Sequence, residues 1–156
     1  MIKRLIFDVD GTIITGTTFD KAMTKTLLKY NIFSEENKQK FINATITYED
    51  NYNGYEKNQY TQYLSKVLGY ELDNDFADTY FKNLGIYAIP EENRELIKKV
   101  DQLSKKYELV LLSNYFEKSQ RGRLENMGIS KYFSEYYGEK ICKPNKKAFL
   151  EAIRNK

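Results

Sequence analysis

The chain has 156 residues, 41% hydrophobic and 30% charged, with a formal net charge of +3, which suits one soluble globular domain or a small core carrying an insertion. No run approaches the roughly 20 apolar residues that span a bilayer, the N-terminal MIKRLIFDVD is too short in its apolar part for a secretory signal, and the mild charge lacks a dense basic run that would favour nucleic acid, so a cytoplasmic protein without membrane or nucleic-acid partners is expected. The absence of histidine excludes Ser-His-Asp and Cys-His mechanisms and histidine metal ligands, while the single cysteine, Cys142, excludes an internal disulfide and any multi-cysteine zinc site.

Residues 2–9 read as a strand from their apolar content, and the strand delivers Asp8 and Asp10 to a turn at Gly11 and Thr12. From 19 to about 85 the pattern is helical with short breaks. Met23, Leu27 and Tyr30 share a face, and Asn31 can stop that helix. Ser34 can cap a second helix carrying Phe41, Ile42, Thr45 and Ile46, and the polar segment 47–58 reads as a loop. Tyr60, Tyr63, Leu64, Val67 and Leu68 make a third stripe closed by Gly69. Asp73 caps a fourth with Phe76, Ala77, Tyr80, Phe81 and Leu84, closed by Gly85. Pro90 suits the first turn of a helix whose inner face is Leu96, Ile97, Val100 and Leu103. LVLLS at 109–113 is a short buried strand, a helix spans about 117–127, and 136–141 is a candidate third strand. Pro144 opens a last helix with Ala148, Phe149, Ala152 and Ile153 inward. Strand, crossover helix, strand, helix is the order of a parallel α/β sheet, here Rossmann-like with three strands and an inserted α-helical module.

Ligands bind parallel sheets at the carboxyl ends of the strands. Asp8 and Asp10 follow the first strand, Ser113 and Asn114 the second, and Lys143 the third. Adjacent carboxylates repel and lose hydration, so a positive partner is expected, most simply a divalent cation with a taste for oxygen such as magnesium. Two acids, a hydroxyl and an ammonium at one edge suit phosphoryl transfer. Each feature also has an ordinary explanation. Asp-Gly is a common turn pair, Ser-Asn commonly caps a helix, and a lone lysine is usually solvated. Their order along the chain favours function. Cys142 reads as a small buried residue. The tyrosines at 48, 52, 55, 60 and 63 read mainly as core, with one or two near 47–55 available to touch a ligand.

These residues resemble the haloacid dehalogenase-like (HAD) superfamily. Its first motif, DxDGT and an aliphatic residue, matches Asp8-Val9-Asp10-Gly11-Thr12-Ile13. Its second is matched by Ser113, and its third by Lys143-Pro144. The resemblance implies a HAD-like α/β core over 1–15 and 89–156, with a helical cap of the C1 type over 16–88. It implies that Asp8 attacks phosphorus and binds magnesium, and that Asp10 is the acid and base and lends its carbonyl to the metal. Ser113, with the backbone after it at Asn114, would hold the phosphoryl oxygens, and Lys143 would offset the charge on Asp8 and phosphate. The acid at the second motif position, absent from the family's dehalogenases, implies phosphate ester chemistry. The implied substrate is a small phosphorylated metabolite, with a phosphomutase as the nearer rival.

One departure bears on activity. The family's fourth motif, one or two acids after the next core strand that complete its metal site, has no counterpart in the 13 residues that follow Lys143. The first strand is then expected to be an open edge, a pairing hazard. A shortened version of a longer protein, or a homo-oligomer paired through that edge, would account for it. The alternative class is a non-catalytic domain that binds a ligand or partner without turnover.

Overall fold

The computed structural model describes residues 3–153. Its sheet has three parallel strands in the order β1 (Arg4–Phe7), β2 (Glu108–Leu112) and β3 (Phe133–Tyr137). Phe7 pairs with Leu111, and Leu111 with Tyr136. The central strand carries the continuous apolar run, and Leu109, Val110, Leu111 and Leu112 are all buried, as a parallel strand covered on both faces requires. The carboxyl ends of all three strands therefore share one edge, and helices make the crossovers.

β1 is shorter than the expected 2–9, and Ile2 lies outside the described residues. The ladder stops because the chain curls: the Val9 carbonyl accepts the N–H groups of Ile13 and Ile14, both at 2.9 Å, and the Gly11 N–H returns to the Ile14 carbonyl. The third strand is displaced from the expected 136–141. Gly138, at φ 105°, ends it, and a Cβ there would lie 2.3 Å from the Ser113 carbonyl oxygen. Only glycine lets the chain turn across the second strand's end so closely.

Four helices follow β1: α1 (Asp20–Lys29), α2 (Glu35–Asn51), α3 (Lys57–Leu68) and α4 (Asn74–Tyr87). Ser34, Glu56 and Asp73 cap α2, α3 and α4 by accepting first-turn N–H groups, each cap stabilising its helix by about 1 kcal/mol. Their inward faces build one cluster around Phe41, Tyr48, Tyr60, Leu64, Phe76 and Tyr80, and Tyr115, Phe116 and Cys142 from the sheet side insert into it. The expected loop at 47–58 is corrected: α2 runs on to Asn51. Its polar residues hide a helical stripe, since Tyr48 continues Phe41 and Ala44 and is fully buried. Thr47 and Asn51 bond back to the carbonyls of Asn43 and Thr47. Gly85 does not close α4 but lies inside it. There it admits Asn126, whose amide donates to the Gly85 carbonyl at 2.8 Å and would sit 2.9 Å from a Cβ.

Three more helices cover the sheet: α5 (Arg94–Ser104), α6 (Glu117–Asn126) and α7 (Lys146–Ile153). Pro90 precedes α5 by four residues instead of starting it. The N-cap is Asn93, whose amide reaches across to the Met127 carbonyl. A second cluster of Val9, Ile14, Leu109, Leu111, Leu124 and Ile129 packs this side. In α7 only Ala148 and Ala152 are buried, while Phe149 and Ile153 are 45% and 54% exposed. The two pairs form neighbouring stripes about 100° apart, and a short helix can turn only one to the sheet. No helix among the described residues is long and apolar enough to cross a membrane.

Candidate active site

The curled turn after β1 sets the site. Asp8 points its carboxylate along the sheet edge, where Oδ1 accepts the Val9 N–H at 2.8 Å and Oδ2 lies 2.9 Å from Lys143 Nζ. Lys143 is also held by its backbone. Asn114 accepts the Lys143 N–H at 2.7 Å and donates to the Lys143 carbonyl at 2.9 Å. The second residue after β2 thus clamps the one that faces Asp8, and three of the five sequence-expected residues form one connected group.

Ser113 and Asp10 form a second group. Gln120 Nε2 donates to Ser113 Oγ at 2.8 Å. That hydroxyl oxygen already accepts a hydrogen bond, so its own hydrogen is left to donate elsewhere. Asp10 is gripped by Arg123: Nη2 meets Oδ1 at 2.9 Å and Nη1 meets Oδ2 at 3.1 Å. The same guanidinium donates to the Ala88 carbonyl through Nε and Nη2 and to Gln120 Oε1 through Nη1, and lies 5.2 Å from the Phe19 ring. Arg123 is 1% exposed and Asp10 44%, so a buried cation holds a half-exposed acid by a planar fork.

Sequence reading passed over Gln120, Arg123 and Glu49. Gln120 and Arg123, with Ser119, form a buried polar face on α6, and apolar periodicity cannot reveal a face made of polar side chains. Their spacing of three residues was the available signal. Glu49, on α2, accepts Asn114 Nδ2 at 2.8 Å and the Tyr55 hydroxyl at 2.8 Å, linking the helical layer to the second strand's end. Of the tyrosines at 47–55, Tyr55 lines the cavity beside the site. Burial, then its bond to Glu49, pushes the Tyr55 hydroxyl far above the ordinary tyrosine range. Burial, then the Glu49 charge, pushes the Cys142 thiol up to about 12, so it is mostly protonated near neutrality.

That cavity, of about 670 Å³, opens from Asp10 and Asn114 toward α1 and α2. Its size suits the body of a small organic ligand.

Oxygen donors for a cation are the Asp8 carboxylate and the Asp10 carbonyl that the resemblance implies. Among the described residues no three acids or thiols gather into a cage. Magnesium needs none, being commonly held by one or two carboxylates together with waters and substrate phosphate oxygens. The set fits an ion shared with a bound phosphate.

The sequence pattern of the haloacid dehalogenase-like hydrolases matches residues 2–155. Among curated proteins none matches. Among solved structures, the HAD-hydrolase YfnB from Bacillus subtilis, bound to magnesium, is 20% identical with a TM-score of 0.62, over 96% of this chain and 70% of that one. A HAD-like family hydrolase from Porphyromonas gingivalis is 22% identical with a TM-score of 0.64, over 98% and 75%. L-2-haloacid dehalogenase from Xanthobacter autotrophicus, with chloropropionic acid covalently bound, is 16% identical with a TM-score of 0.64, over 97% of this chain and 63% of its own, so the chain spans less than two thirds of that enzyme. At these identities the likeness is one of fold.

Proposed function

Since the chain belongs to the haloacid dehalogenase-like hydrolase family, we propose that it is a magnesium-dependent phosphatase that hydrolyses a small phosphomonoester through an aspartyl phosphate. The observation that carries the reading is the Asp8–Lys143 ion pair at 2.9 Å, set at the strand ends with a second acid two residues on. A nucleophilic carboxylate meeting a phosphate dianion needs a cation beside it, and Lys143 supplies one.

In this reading Asp8 attacks phosphorus and the ester oxygen departs with a proton from Asp10. Asp10 then takes a proton from the water that cleaves the aspartyl phosphate, returning Asp8 as a carboxylate. Ser113 donates to a phosphoryl oxygen, its own oxygen already satisfied by Gln120. Lys143 offsets the charge that gathers on Asp8 and the phosphoryl group. Magnesium, held by Asp8 and the Asp10 carbonyl, would supply further charge neutralisation and orient the phosphate. Asp10, at the second motif position, supports phosphate chemistry over dehalogenation.

The test is a phosphate-ester panel with and without magnesium. Magnesium-dependent release of phosphate is expected, with Asp8→Asn lowering kcat at least about 1,000-fold. Turnover that survives Asp8→Asn would refute the mechanism. One observation favours a second reading, a domain that binds phosphate without turnover: both Asp10 oxygens are engaged by Arg123. Calorimetric binding of inorganic phosphate with magnesium, alongside a silent panel, would select it.

A further inference from the structure

The proposed phosphatase leaves open what alcohol its ester carries, and the cavity beside Asp10 speaks to this. Phe19, Met23, Ile42, Ile46, Tyr55 and Tyr115 form its apolar wall. The hydroxyls of the two phenols are already engaged, Tyr55 Oη with Glu49 and Tyr115 Oη with Tyr60 at 3.1 Å. Half of the polar lining is committed: Glu49 accepts from Tyr55 and Asn114, Asn114 spends both ends of its amide on Lys143 and Glu49, and Thr45 donates to the Phe41 carbonyl. A polyhydroxylated alcohol would be left with Thr18 and the carboxylates of Asp10 and Asp20, against a wall that is mostly apolar.

Charge discriminates further. The ionisable acids and bases lining this cavity are Asp10, Asp20 and Glu49, with no lysine or arginine among them. Asp10 is matched by Arg123 and Asp20 by Lys38 at 3.7 Å, so a second anionic group would meet Glu49 with no lining cation to receive it. Ser113 and Lys143 do not line the cavity, whereas Asp10 and Asn114 do. The phosphoryl group and the alcohol therefore divide at Asp10, which is where the resemblance places the leaving oxygen.

Resting on the phosphatase reading, we propose that the substrate is the monophosphate of a flat, apolar alcohol with no further negative charge, and that the cavity selects against sugar phosphates and bisphosphates. Primary-alcohol esters of similar leaving ability test this: benzyl phosphate, 4-carboxybenzyl phosphate and glucose 6-phosphate. The expected kcat/KM for benzyl phosphate is at least about tenfold above each of the others. Ile46, 71% exposed at the rim, can accept a cation without disturbing the core, so Ile46→Lys should recover the carboxybenzyl ester by at least about fivefold relative to benzyl. Parity of the benzyl and carboxybenzyl esters, or preference for the sugar, would overturn the proposal. Binding of benzylphosphonate and 4-carboxybenzylphosphonate, neither of which can be hydrolysed, separates the two claims. If no ester turns over yet benzylphosphonate binds about tenfold more tightly, catalysis fails and the cavity assignment stands. Equal binding overturns the assignment.

Discussion

Arg123 carries the densest set of contacts at the site. It joins Asp10, Gln120, the Ala88 carbonyl at the end of α4 and the Phe19 ring before α1, so it touches both chain crossings between the sheet and the helical layer. For Asp10 to exchange a proton in the proposed reaction, it must release at least one oxygen from this fork. Arg123 is thus a positioning residue. Lysine keeps the charge but cannot span two carboxylate oxygens and a carbonyl at once. Arg123→Lys is expected to lower unfolding free energy by about 1–3 kcal/mol, from the polar groups it leaves short of partners, measured by urea denaturation. It should also lower kcat by about 10- to 100-fold with KM little changed. A KM that rises in step would place Arg123 in substrate binding instead.

At the scale of elements, the loop between α2 and α3 is laced to the loop after β3. The Tyr55 N–H donates to the Glu139 carbonyl at 2.6 Å, and the Cys142 N–H to the Asn53 carbonyl at 2.8 Å. Gly54 sits between these bonds, and a Cβ there would lie 2.2 Å from the Lys140 carbonyl oxygen. Backbone cannot step aside as a flexible side chain can. Gly54→Ala is therefore expected to separate the two loops and cost about 1–3 kcal/mol. The measurement is the denaturation midpoint, together with faster amide exchange at Tyr55 and Cys142. Unchanged exchange at both amides would show that the lacing tolerates the methyl group. The same loops carry Lys143 and Tyr55, so the change should reach the site as well.

Across the whole molecule the helical layer and the sheet share one aromatic interior, in which Tyr55, Tyr60 and Phe81 pack on Tyr115 and Phe116. Burial pushes the Tyr60 hydroxyl up to about 12 and, with the Glu49 charge behind it, the Cys142 thiol to about 12. It raises the hydroxyls of Tyr48, Tyr80 and Tyr115 as well. Unfolded, these groups ionise at about 8.5 for the thiol and about 10 for the phenols. Above those values the unfolded chain has lost protons that the folded chain keeps, so unfolding free energy falls as pH rises. The contribution is fully present below about pH 8.5 and is lost progressively toward pH 12. Urea midpoints should hold between pH 7 and 8 and drop at pH 10, and a midpoint unchanged at pH 10 would mean that the interior is open to water.

What the sequence determined by itself was local. Helix caps at Ser34 and Asp73, the apolar stripe of α3 with Gly69 behind it, the buried run of β2 and the acid pair after β1 all depend on neighbours a few residues away, and each was legible in the letters. So was the order of Asp8, Ser113 and Lys143 along a parallel sheet, because topology converts chain order into position at one edge. Features set by distant packing were not. α2 outruns its polar letters because Tyr48 finds an aromatic interior. Gly138 ends β3 because the chain must pass the Ser113 carbonyl, and Phe149 faces outward because α7 turns its alanines to the sheet. Arg123 is the clearest case: a helical arginine in a charged stretch reads as solvated, and only the meeting of α6 with Asp10 and the Ala88 carbonyl, 35 positions away, supplies the partners that a buried guanidinium requires.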